Sequence, residues 1–107
     1  MAKYTPVKVA SQISNVERAY CFRYGRLVVA WFTFTTNAAI SNNTATLFSG
    51  LPKAMYHTRT NFIRAGDTNY TFIRVGTGAN GELNNAYSVS GIPVGTYEGE
   101  IVYFTSE

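Results

Sequence analysis

Charge is scarce in this chain. Only 14% of its 107 residues are Asp, Glu, Lys or Arg, against roughly 25% in an ordinary globular domain. The nine basic residues (Lys3, Lys8, Arg18, Arg23, Arg26, Lys53, Arg59, Arg64 and Arg74) are scattered, and the formal net charge is only +3. A nucleic-acid binder shows a basic stripe or a named motif. Neither is present, so no nucleic-acid partner is expected.

Cysteine is rarer still. Cys21 stands alone, so no disulfide can form within the chain, and folding in a reducing compartment is expected. It lies in the apolar run Ala19-Tyr20-Cys21-Phe22 and reads as a small buried hydrophobe rather than a reactive thiol. Long hydrophobic runs are missing too. No segment approaches the ~20 apolar residues of a membrane span, and the opening Met1-Ala2-Lys3-Tyr4-Thr5-Pro6 has no signal-peptide core. The sequons at Asn42-Asn43-Thr44 and Asn69-Tyr70-Thr71 therefore carry no expectation of glycosylation.

Catalytic equipment is equally thin. His57 is the one histidine, and the acids Glu17, Asp67, Glu82, Glu98, Glu100 and Glu107 are dispersed. A metal centre wants a cluster of His, Cys or carboxylates, so no metal and no cofactor are expected. Glu98 and Glu100 share one strand face, which reads as a solvated surface and not as a glycosidase pair. No Gly-x-Ser-x-Gly elbow aims a serine at His57. Gly76-x-Gly78-x-x-Gly81 spells a dinucleotide fingerprint, but no helix follows it; it reads as a hairpin turn. No enzymatic activity is expected.

Hydrophobic residues are plentiful, at 46%, and aromatics reach 15%. The period of the apolar pattern is two. Val16–Tyr24 reads as a strand, Gly25-Arg26 as a tight turn, and Leu27–Thr36 as a second strand rich in β-branched and aromatic residues. Leu27, Val29, Trp31 and Thr33 share one face of it; Val28, Ala30, Phe32 and Phe34 share the other. Both faces are apolar, so one belongs to the core and the other is free to meet another subunit. Trp31, Phe32 and Phe34 are the candidate interface side chains.

Further strands are expected at Thr44–Phe48, His57–Ala65, Asn69–Val75, Glu82–Val89 and Tyr97–Thr105, with loops at Asn37–Asn43 and Ser90–Thr96. Many short strands with no amphipathic helix point to an all-β, compact antiparallel β-sandwich. Residues 1–15 are expected to be a stub or an edge strand, and residues 16–107 the β-sandwich domain. Saccharide sites combine an aromatic platform with planar polar groups in a cleft. Tyr56, His57, Arg59, Asn84, Asn85 and Tyr87 supply such groups near expected strand ends and are the candidate ligand-binding residues.

The order of features resembles a known family. Tyr24-Gly25-Arg26-Leu27-Val28-Val29 closes a hairpin, and Thr46-Leu47-Phe48-Ser49-Gly50-Leu51-Pro52 follows. Later come Gly78-Ala79-Asn80-Gly81-Glu82-Leu83, Ile92-Pro93-Val94-Gly95-Thr96-Tyr97 and Val102-Tyr103-Phe104-Thr105. Over about residues 16–105 this is similar to the C-terminal head domains of bacteriophage tail fibres and receptor-binding tail proteins. The resemblance implies a jelly-roll-like β-sandwich that assembles as a homotrimer at the fibre tip of the virion, made in the bacterial cytoplasm. It implies binding to a host cell-surface saccharide or protein, with the rest of the fibre as a further partner. A trimerisation cap or capsid decoration protein without a ligand is the alternative. The family has no fixed binding residues to carry over.

Overall fold

The computed structural model describes residues 1–69, 71–86 and 91–107. Nine strands account for the regular structure of these residues, and no helix occurs among them. They are β1 (Ala2–Tyr4), β2 (Val7–Lys8), β3 (Ile13–Tyr24), β4 (Leu27–Thr36), β5 (Thr46–Ser49), β6 (Thr58–Arg64), β7 (Phe72–Thr77), β8 (Leu83–Asn85) and β9 (Gly95–Phe104). All pair antiparallel in one sheet of order β1-β3-β4-β9-β6-β7-β8-β5-β2.

The two ends of that order are neighbours in the chain. Only Thr5 and Pro6 separate β1 from β2, and three residue steps span at most about 11 Å. The sheet must therefore curl until its two edges nearly meet, with Pro6 buried at the junction. Residues 1–8 thus supply both edge strands, and β3 already begins at Ile13.

The strongest pairing follows the sequence pattern. Tyr24 pairs with Leu27 across a two-residue turn, and Gly25 has a φ of 61°, the positive value that such hairpins need in their first turn position. From there β3 and β4 run antiparallel to Ile13 and Thr36, with irregularities at Ile13/Asn15 and Val16/Arg18. β9 pairs β4 without a break from Leu27–Phe104 to Thr36–Gly95. By contrast β9 meets β6 at only two rungs, Ile63–Glu98 and Arg64–Tyr97.

Alternation decides what is inside. On β4 Val28, Ala30, Phe32, Phe34 and Thr36 are buried; on β9 Tyr97, Ile101, Tyr103 and Thr105 are buried. They meet Leu47 and Phe48 of β5, Phe62 of β6, Ile73 and Val75 of β7, and Leu83 of β8 in one core. Its centre is aromatic: Phe32 and Phe48 have ring centroids 4.8 Å apart, Phe34 and Phe48 5.6 Å, and Phe34 and Tyr97 5.9 Å. The radius of gyration, 12.9 Å, matches the ~13 Å of a compact chain of this length.

Both ends of β7 differ from the sequence pattern for identifiable reasons. β7 starts at Phe72 because Asp67 holds the preceding residues in a turn: its carboxylate accepts the amide protons of Asn69 at 2.9 Å and Thr71 at 3.1 Å. β7 also runs on through Gly76 and Thr77, where Gly76 pairs with Arg59 on one side and Asn84 on the other. A side chain at position 76 would press on the Thr58 carbonyl at 3.0 Å, so glycine here serves close strand contact. The turn itself is Gly78–Gly81, closed by Gly81 N–H donating to the Gly78 carbonyl at 3.3 Å, as the hairpin reading expects.

Candidate functional site

Two surfaces stand out. The first is a small polar cleft over β6, β7 and β8. Gly76 forms its floor, and His57, Thr58 and Arg59 border it on one side. Asn84, Asn85 and Ala86 border it on the other, with Thr44 at its edge. Its volume is about 190 Å³, below the ~300–1,000 Å³ of typical small-molecule sites. The missing side chain at Gly76 creates the hollow, since a Cβ there would lie 3.2 Å from Arg59 Cγ and 3.6 Å from the Ala86 methyl. Gly78 performs the same service for His57: a Cβ there would lie 2.9 Å from Cε1 of the imidazole.

The strand register explains the gathering. Arg59, Gly76 and Asn84 are successive partners across β6, β7 and β8, so residues 25 positions apart come to lie in one lateral row. Asn85 Nδ2 donates to the Asn42 carbonyl at 3.0 Å, and its backbone N–H donates to the Ala45 carbonyl at 2.8 Å. Asn85 therefore fastens the loop after β4 to β8 as well as bordering the cleft. Asn84 Oδ1 is enclosed without a hydrogen-bond partner, and an enclosed polar atom left unpaired costs about 1–3 kcal/mol.

Of the six candidate ligand residues, His57, Arg59, Asn84 and Asn85 meet in this cleft. Tyr56 is not part of its lining; it projects from the loop before β6 and is 74% exposed. Tyr87 lies outside the described residues. Thr58, Thr77 and Ala86 also line the cleft, and so do Thr44 and Gly76, to which the sequence reading gave no ligand role. Their signal was faint: an uncharged loop residue and a glycine inside a strand.

The second surface is the outer face of β3, β4 and β9. The inner face already owns a full core, yet the outer one is also apolar. Four rows cross it in register: Tyr24–Leu27–Phe104, Phe22–Val29–Val102, Tyr20–Trp31–Glu100 and Arg18–Thr33–Glu98. Tyr20, Tyr24, Trp31, Val102 and Phe104 are all exposed on it. Phe22 and Trp31 meet edge to face at a centroid distance of 6.2 Å. A broad hollow of about 630 Å³ opens around Trp31, with Arg18 and Tyr20 on the β3 side and Glu98 and Glu100 on the β9 side.

The interface expectation needs correcting in part. Trp31 faces outward, but Phe32 and Phe34 are 1% and 0% exposed. Their alternation on β4 sends them into the chain's own core, so neither can meet a second subunit.

No protein-family model, curated protein or solved structure matches the chain.

Several further titratable groups act in the fold. Burial pushes the Cys21 thiol up to about 11, so at neutral pH it stays protonated and a poor nucleophile. Burial likewise raises the Tyr103 phenol, which donates to the Pro52 carbonyl at 2.7 Å. Thr35 Oγ1 donates to Glu17 at 2.7 Å and Asn15 Nδ2 at 2.8 Å. Led by the Thr35 bond, these contacts hold the Glu17 carboxyl below its ordinary range. Among the described residues no three His, Cys, Asp or Glu side chains gather as a metal site would require.

Proposed function

We propose that the chain is a self-assembling head domain of the bacteriophage tail-fibre type. It works as a compact, jelly-roll-like β-sandwich that forms a homotrimer and binds a host cell-surface saccharide or protein. The resemblance of residues 16–105 motivates this reading. The observation that carries it is the apolar outer face of β3, β4 and β9 on a chain whose core is already complete. Contiguous exposed apolar surface of this kind marks an interaction site.

The polar cleft is where a ligand would be read. Arg59 offers a cation with several donors, and His57 and Asn84 offer planar polar groups. Each site would hold a ligand weakly, and three sites on one head would multiply the affinity for a multivalent cell surface. The small volume of the cleft favours the second reading, a trimerisation cap or capsid decoration protein without a ligand.

Binding of the labelled, intact protein to a bacterial-glycan array and to whole bacterial cells separates the two. Binding that an Arg59→Ala or Asn84→Ala substitution abolishes is the expected result. Assembly into trimers without binding to any glycan or cell would overturn the receptor role and leave the structural one.

A further inference from the structure

We infer that the outer face of β3, β4 and β9 packs against further copies of this chain around a symmetry axis parallel to β4. In this arrangement Arg18 of each copy meets Glu98 and Glu100 of the next. The inference rests on the assembly reading above and gives it a geometry.

The argument starts from charge. The outer face is apolar along its middle and at the end near the β3–β4 turn, but toward the other end its flanks carry opposite signs. Arg18 stands on the β3 side and Glu98 and Glu100 on the β9 side; Glu17, the acid next to Arg18, is already held by Thr35 and Asn15 at the far end of the same face. Thr33 lies between Arg18 and Glu98 in one row, so the backbones of the two charged residues are about 10 Å apart, twice the interstrand spacing. Among the described residues no side-chain hydrogen bond or ion pair engages Arg18, Glu98 or Glu100.

Rotation about an axis parallel to β4 preserves height along the strands. In a ring of three it brings the β3 flank of one copy against the β9 flank of the next. Arg18 then faces Glu98 and Glu100 at the same level, Tyr24 faces Phe104, and the three Trp31 side chains converge on the axis. Rotation about an axis perpendicular to β4 and parallel to the sheet reverses height. It would set Arg18 against Tyr24 and Glu98 against Phe104, burying charge without a partner, which is strongly disfavoured. One lateral polarity therefore satisfies both the apolar middle and the charged flanks only for the parallel axis.

Charge reversal tests this. The residues are exposed, so the variants should keep the fold, and circular dichroism with thermal melting verifies that they do. Light scattering on the full chain should give three chain masses for the wild type. Arg18→Glu alone, and Glu98→Lys with Glu100→Lys, should each reduce the mass threefold, to one chain. Combining all three substitutions should restore the trimer. A folded triple variant that stays monomeric would overturn the inference, as would single-flank variants that remain trimeric; both would leave the trimer itself standing. A monomeric wild type would instead remove the assembly reading and this geometry together.

Discussion

The hydroxyl of Tyr103 donates to the Pro52 carbonyl at 2.7 Å in the interior, where water cannot replace it. Tyr103→Phe keeps the ring and removes the donor, leaving a carbonyl to find another partner. A loss of about 1 kcal/mol is expected, read as a lower urea midpoint with an unchanged slope. Asp67 gives a pH prediction. Hydrogen bonds involving Thr71 and the Asn69 backbone, with some help from the Arg64 charge, lower its carboxyl below the ordinary value. A depressed folded pKa means that its contribution is complete above the unfolded value of about 3.9. That contribution is lost as pH falls through the folded value. Amide exchange at Asn69 and Thr71 should therefore lose protection selectively in acid, and Asp67→Asn should remove that pH dependence while the β3–β4 amides stay unaffected.

At the scale of elements, β9 is the strand on which both faces depend. Its odd positions enter the core and its even positions form the outer face. Gly99 breaks the inner series because the Phe62 ring from β6 lies across it. A Cβ at position 99 would collide with Phe62 Cδ1. Gly99→Ala should thus cost about 1–3 kcal/mol, the range for overpacking a filled core. Pairing the substitution with Phe62→Leu should recover part of the loss, and a thermodynamic double-mutant cycle measures the coupling. The strands themselves were largely legible in the sequence. Leu27–Thr36 and the alternation at the chain's end appear where the pattern of apolar residues puts them, because each face of an antiparallel strand meets one environment. The start of β7 was not legible, since Asp67 delays it through side-chain bonds that hydrophobic periodicity does not encode.

For the whole molecule, the deciding element is the N-terminal segment. Met1–Lys8 has little apolar pattern, yet β1 and β2 finish opposite edges of the sheet. Tyr4 packs against the core and Pro6 is buried at the corner between them. Removing residues 1–8 should cost at least about 2 kcal/mol, the scale of burying one or two apolar side chains. It should also uncover the free edges of β3 and β5, which invites edge-to-edge association. Chemical denaturation and light scattering of the shortened chain against the full chain measure both effects. A chain that loses neither stability nor solution behaviour would show the segment to be a dispensable stub.

The sequence by itself determined the all-β class, the hairpin at Gly25-Arg26, the two apolar faces of β4 and the burial of Cys21. These are local consequences of a period of two and of residue size. It did not determine which apolar face of β4 turned inward; Trp31 and Phe32 are neighbours with similar chemistry, and only the curl of the sheet separates them. Nor did it reveal that His57, Arg59, Asn84 and Asn85 share a cleft, although all four were candidates. That depended on β6, β7 and β8 lying side by side with a glycine between the two flanks. Turn signals make these consecutive strands neighbours, but the rung that puts Arg59, Gly76 and Asn84 in one row is set by the ladder hydrogen bonds, and periodicity alone does not encode that register.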